Sequence, residues 1–189
     1  METVTKRKLS IEEYHRMAEV CIIAPDEKVE LIDREIIEMN GSPSGPFGKE
    51  HLATVGRINM LLTPLLAGKS IVFSQSPVQL ADKSEPEIDL MIVPHRDDYY
   101  ANTGVYEKDV LLVIEVSDTT LKKDLQIKLP LYALSGIPEV WIVEIKIKKL
   151  LQFTDCKAGK YQQENTYSGE DRVHTSQLPI NFQAKDLIG

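Results

Sequence analysis

Three charged residues stand where their neighbours are apolar. Asp89 interrupts the run Ile88, Leu90, Met91, Ile92, Val93, and a carboxylate buried there without a partner would be costly. Glu115 follows Val110-Leu111-Leu112-Val113-Ile114, with Ser117 two residues on and therefore on the same face of a strand. Lys128 falls on the stripe Leu121, Leu125, Leu129 and Tyr132, where a helix otherwise presents apolar side chains to a sheet. Two carboxylates on adjacent buried strands repel unless a cation lies between them. Hard divalent cations such as Mg²⁺ take oxygen ligands and retain several waters, which suits one Asp, one Glu and a backbone carbonyl. An ion so held acidifies water and polarises a phosphoryl oxygen, while a nearby lysine stabilises charge or orients the attacking water. Together these are the parts needed to hydrolyse a phosphodiester. Taken singly each residue has a plainer reading: acids at strand ends are often just solvated, and Asp124 four residues before Lys128 makes an ordinary helical pair worth a few tenths of a kcal/mol. The conjunction of all three favours a site. Tyr132 and Trp141 read as core residues.

The elements that must position these residues are legible in outline. Ser10 with Glu13 forms a capping box ahead of Ile11, Tyr14, Met17 and Ala18 at helical spacing, and Pro25 prevents continuation. Lys28 to Asp33 and Glu35 to Met39 alternate around Arg34 as a hairpin, with Val29, Leu31, Ile36 or their neighbours on its apolar side. Asn40 to Gly48 is rich in Gly, Pro and Ser and reads as a loop. From Lys49 to Ala67 a long amphipathic helix is expected on the stripe Leu52, Val55, Ile58, Leu62 and Leu65, closed by Gly68. Ser70 to Ser74, Ile88 to Val93 and Val110 to Ser117 are strand-like, the last two central because they are nearly continuously apolar. Thr119 or Thr120 caps a helix running to about Ser135, bent at Pro130. Glu139 to Ile145, Lys148 to Thr154 and Lys160 to Thr166 then form a meander. Asp171 to Gly189 is weakly patterned. Helix, hairpin, helix, strands, helix, strands predicts an α/β (α+β) mixed sheet with helices packed on it, and no linker divides residues 1–189, so one domain is expected.

Composition narrows the classes. With 189 residues, 42% hydrophobic and 27% charged, the chain has the profile of a globular protein. The formal net charge of −7 would on average repel a phosphate backbone, although a local basic patch or a bound cation reverses the sign within one cleft. Cys21 and Cys156 have no metal-ligand spacing and read as two reduced thiols. Glu2, Lys6, Arg7 and Lys8 precede no apolar run, and no stretch approaches a membrane span, so a cytoplasmic protein without membrane association is expected.

At Val113-Ile114-Glu115-Val116-Ser117, Asp124, Lys128, Leu131-Tyr132-Ala133 and Gly136-Ile137-Pro138-Glu139-Val140-Trp141 the chain resembles the Uma-type restriction endonuclease family, a branch of the PD-(D/E)XK nuclease superfamily. The likeness extends to Val29-Glu30-Leu31-Ile32-Asp33 with Glu35-Ile36-Ile37, to His51 and to Asp89, covering about Lys28 to Thr154. It implies a restriction-endonuclease-like core in which Asp89 and Glu115 hold Mg²⁺, or Mn²⁺ as a substitute, with Lys128 catalytic and Glu30 and His51 as accessory members. Two departures stand out. The superfamily's lysine two residues after the acid is replaced by Ser117, its role passing to Lys128 on the helix. The Pro-Asp pair is displaced to Pro86-Glu87-Ile88-Asp89, and Asp89 rather than Glu87 is taken as the ligand because the apolar strand begins around it. The expected activity is Mg²⁺-dependent endonucleolytic cleavage of DNA by a homodimer; the alternatives are a catalytically silent binding or assembly module and a hydrolase of another phosphodiester.

Overall fold

Ser10 starts the first helix as its residue type dictates. Its hydroxyl accepts from the Glu13 amide at 3.1 Å while the Glu13 carboxylate accepts from the Ser10 amide at 2.9 Å, and α1 runs Ile11–Glu19. The computed structural model describes residues 7–38, 48–81 and 83–189; Glu2, Lys6 and the loop expected over Asn40 to Gly48, Gly48 excepted, lie outside them. Strands β1 (Val29–Ile32) and β2 (Glu35–Glu38) form the expected hairpin. Asp33 and Arg34 at its turn both have positive φ (46° and 67°), as a two-residue turn matched to strand twist requires.

Helix α2 spans Lys49–Leu66. Val55, Ile58 and Leu62 are buried as expected, but Leu52 and Leu65 are exposed, and Thr54 and Leu66 complete the inner face. The six-stranded mixed sheet runs in the order β3 (Ser70–Pro77), β4 (Glu87–Pro94), β5 (Leu112–Ser117), β6 (Val140–Glu144), β7 (Lys149–Lys157), β8 (Lys160–Tyr167). Only β5 and β6 pair in parallel, joined by a crossover that carries Lys128. As expected, β4 and β5 are interior strands; β5 is buried along its whole length, which explains the apolar run that Glu115 and Ser117 interrupt. No helix among the described residues is long and apolar enough to cross a membrane.

One face of the sheet is covered by α2 and by a segment whose sequence is weakly patterned. The C-terminal stretch forms β9 (Arg172–His174), β10 (Asn181–Gln183) and α5 (Ala184–Ile188), and Val173, Ile180, Phe182 and Leu187 join the core cluster around Ile58, Ile114 and Trp141. These elements are three to five residues long, too short to show a period, and tertiary burial fixes them. The opposite face packs Met91, Val113 and Ile142 against Tyr132 and Ile137.

A buried carboxylate fastens the C-terminal segment to the sheet. Glu139 accepts from Trp141 Nε1 and Gln152 Nε2, each at 2.7 Å on Oε1, and from Thr175 Oγ1 (2.8 Å) and the Ser176 amide (3.3 Å) on Oε2. Glu139→Ala takes the acceptor from two buried donors, Trp141 Nε1 and Gln152 Nε2, each costing about 1–3 kcal/mol when left unpaired. The expected loss is about 3 kcal/mol in urea unfolding, together with faster amide exchange over β9 and β10; a loss below about 1 kcal/mol would contradict this role.

Candidate active site

The sheet opens between two of its interior strands. Strands β4 and β5 are paired from Ile92↔Leu112 to Leu90↔Ile114. Beyond that pair each continues against its other neighbour, β4 as far as Pro77↔Glu87 and β5 as far as Ser117↔Glu144. Asp89 and Glu115 are the first residues past the last shared pair. The β5 amide that faces the opening is satisfied by a side chain instead of a ladder carbonyl: Val116 N donates to Asp89 Oδ2 at 2.8 Å. The other Asp89 oxygen, Oδ1, lies 3.1 Å from His51 Nε2, which the first turn of α2 brings to the same end of the sheet.

The helical crossover after β5 is one run of three parts: α3 (Leu121–Lys123), a π-helical turn (Asp124–Lys128) and α4 (Leu129–Leu134). Pro130 was expected to bend this helix. It stands instead in the first turn of α4, directly after the π turn. A proline cannot donate to the carbonyl four residues back and its ring crowds that carbonyl; widening the preceding turn to the i→i+5 bond from Leu129 N to Asp124 O absorbs the conflict.

The widened turn buries both Asp124 and Lys128 and separates their partners, contrary to the pairing expected from their spacing. Asp124 Oδ2 accepts from Ser117 Oγ at 2.5 Å and Thr120 Oγ1 at 2.8 Å, pinning the crossover to the end of β5. Lys128 Nζ donates to Glu115 Oε1 at 3.0 Å and to the Glu87 carbonyl at 2.7 Å, and lies 3.4 Å from Glu30 Oε1. Glu30 arrives from β1, accepts the Glu87 amide at 3.3 Å, and turns Oε2 toward Lys123 Nζ at 3.1 Å. All five residues singled out in the sequence thus lie in one connected group: Glu115, Lys128 and Glu30 in direct contact, Asp89 beside Glu115 on the neighbouring strand, and His51 on Asp89.

Sequence reasoning missed Tyr132 and Lys123. The Tyr132 hydroxyl donates to Glu115 Oε1 from full burial. Its place on the same helical stripe as Lys128, one turn on, was the available signal; a tyrosine rather than a phenylalanine there brings a hydroxyl that needs a partner. Both bonds to Glu115 land on Oε1, and Oε2 takes none among the described residues.

Burial dominates the electrostatics. It pushes the Glu115 carboxyl up to about 8 against the opposing pull of Lys128, and raises Asp89 against the Val116 amide, Lys128 and His51. Glu87 is likewise raised by burial. Burial also works against charge on Lys128, but Glu115 and Glu30 outweigh it and hold the ammonium above the usual lysine range. Two acids held upward by desolvation at one opening form a place where a dication would be stabilised. Among the described residues no three His, Cys, Asp or Glu side chains form a metal-binding cluster, so an ion here would draw much of its shell from backbone and water. Mg²⁺ is bound in that manner, through one or two carboxylates and several waters, and the hard-oxygen donors of Asp89 and Glu115 fit it.

A mixed sheet opened between two interior strands, with carboxylates on both lips and a buried lysine from the crossover helix, places the chain among α/β proteins of nuclease-like fold. It belongs to the family described as "Putative restriction endonuclease" (Uma2), which matches residues 11–186. A crystal structure from Anabaena variabilis ATCC 29413, described as a "putative nuclease belonging to DUF820", is similar over 95% of this chain and 97% of that one, with a TM-score of 0.67 and 12% identity. No curated protein matches the chain. The likeness at that identity is one of fold.

Removing the lysine leaves Glu115 without its ammonium and Glu30 with Lys123 alone of the pair, and breaking a buried pair from one side costs about 3–5 kcal/mol. Lys128→Ala is expected near the lower end, about 3 kcal/mol in urea unfolding, because Glu115 can take up a proton. Adding Glu115→Gln to Lys128→Ala should recover part of the loss; equal stability of the single variant and the parent would refute the arrangement.

Proposed function

We propose that this chain is a divalent-metal-dependent endonuclease that hydrolyses phosphodiester bonds of DNA at the β4/β5 opening. The observation that carries the reading is the group Asp89, Glu115 and Lys128: two desolvated acids on the lips of one opening, with a buried ammonium hydrogen-bonded to one of them at 3.0 Å. Membership in a family named for restriction endonucleases supports a nucleic-acid substrate.

Asp89 and Glu115 would hold Mg²⁺, with Mn²⁺ as a substitute. When bound, the ion supplies Lewis acidity toward a phosphoryl oxygen and water. The chain's own residues supply the rest. The Val116 amide and His51 fix the Asp89 carboxylate from its two oxygens. Lys128 and Tyr132 hold Glu115 by Oε1, which leaves Oε2 as the oxygen for the ion. Glu30 and the Glu87 carbonyl keep the Lys128 ammonium in place, where its charge opposes the negative charge that develops on the phosphoryl group. A donor fixed in advance does not reorganise during reaction, and the low-dielectric surroundings strengthen it.

A homodimer belongs to the same reading, since cutting both strands calls for two sites, and the sheet-edge strand β8 is where a second copy would add. The net charge of −7 favours the competing view of a binding module without catalysis.

Nicking of supercoiled plasmid distinguishes them. Wild type with Mg²⁺ or Mn²⁺ is expected to nick, and Asp89→Asn, Glu115→Gln and Lys128→Ala to fall at least about 100-fold, the scale on which a lost transition-state donor acts. Without DNA, Mn²⁺ is expected to raise the melting temperature of wild type by linkage and to leave Asp89→Asn unmoved. Identical nicking by wild type and all three variants across several divalent metals refutes the endonuclease; a metal-linked melting shift without nicking favours another phosphodiester, and neither effect favours the binding module.

A further inference from the structure

The π turn does more than accommodate Pro130, because it brings two lysines to one carboxylate. Lys123 and Lys128 are five residues apart. At roughly 100° per residue an α-helix would point them about 140° apart. The i→i+5 turn between them gathers both onto Glu30, whose Oε1 lies 3.4 Å from Lys128 Nζ and whose Oε2 accepts Lys123 Nζ at 3.1 Å. The two ammoniums differ in access: the Lys128 side chain is 6% exposed and that of Lys123 is 23% exposed. Charge therefore alternates outward from the sheet opening, from Glu115 to Lys128 to Glu30 to Lys123, and ends on a cation that solvent reaches.

We propose that Lys123 binds a phosphate of the substrate backbone next to the one hydrolysed, with Glu30 dividing its two oxygens to set the spacing of the two lysines. This rests on the nucleic-acid reading above and adds a substrate-binding residue to it. A chain of formal charge −7 repels a polyanion at long range, so a substrate with several phosphates needs local positive charge at the opening. Lys128 is too enclosed to meet more than the group at the centre. Lys123 is the cation of the same carboxylate fork that stands outside it. Glu30, which it meets at 3.1 Å, is shared with Lys128, and phosphate is a strong acceptor for an ammonium.

The test is binding of a fluorescent 20-base-pair duplex to the full chain by anisotropy, with Ca²⁺ in place of Mg²⁺, across a KCl series. Each phosphate neutralised contributes about 0.9 to the slope of log K against log salt. Lys123→Ala and Lys123→Gln are both expected to lower the slope by about that amount and to weaken binding about 5- to 10-fold at low salt, and Lys123→Arg to restore both. Lys185→Ala, the same charge change on α5, should leave the slope unchanged. Mn²⁺ affinity measured without DNA should be the same in wild type and Lys123→Ala. A slope unchanged in Lys123→Ala and Lys123→Gln, or equally lowered in Lys185→Ala, overturns this assignment while leaving the endonuclease reading intact. Weakened Mn²⁺ binding overturns it by showing that Lys123 acts through the metal site. A wild-type chain that binds no duplex at any salt removes the nucleic-acid reading and this inference with it.

Discussion

One buried ammonium holds the centre of this structure together. Lys128 Nζ is shared by Glu115, by Glu30 and by the carbonyl of Glu87, which come from β5, β1 and β4. Glu115 and Glu30 are shielded from water, so each would be costly alone. A buried charged network of this kind is weak evidence for stability; similarly sized apolar residues would serve as well or better. It stands where β4 and β5 part, with Asp89 on the neighbouring strand.

The opening follows from how the central strands choose their neighbours. Past Leu90↔Ile114 strand β4 continues with β3 and β5 continues with β6. Two strands that diverge leave inner backbone groups to be satisfied by side chains, and the Asp89 carboxylate accepts the Val116 amide for that reason. The crossover helix closes one side of the gap, pinned by Asp124 to Ser117 and Thr120. From the other side α2 brings His51 to Asp89. The geometry of the site is thus inherited from sheet topology, and the side chains at its edge do structural work as well.

At 12% identity to the Anabaena variabilis structure, little of the sequence carries the common fold. In this chain the fold is carried by a pattern: interior strands apolar on both faces, a crossover helix with an apolar stripe, and charges at the strand ends. In this chain the C-terminal elements complete the core beneath α2, with Arg57 Nη1 donating to the Ile188 carbonyl at 2.6 Å. Glu139 joins them to the sheet through bonds that reach Thr175 and Ser176.

The sequence by itself determined the element order, the central position of β4 and β5, the N-terminal cap and the three misplaced charges, because each rests on local periodicity or on the cost of burying one residue type. The family resemblance added Glu30 and His51, which no local pattern singles out. Only the tertiary structure decided the partners. Asp124 and Lys128 sit four apart and should pair on a regular helix, yet a π turn sends one to Ser117 and the other to Glu115. Tyr132 reads as core and is core, but its hydroxyl meets the same glutamate. The tail from Asp171 shows no period since its elements are too short to repeat one, and only packing against α2 and Trp141 gives them a fixed place. Periodicity reports which face of an element is turned inward; which atoms meet there depends on strand divergence and helix winding, and those are set by contacts far apart in the chain.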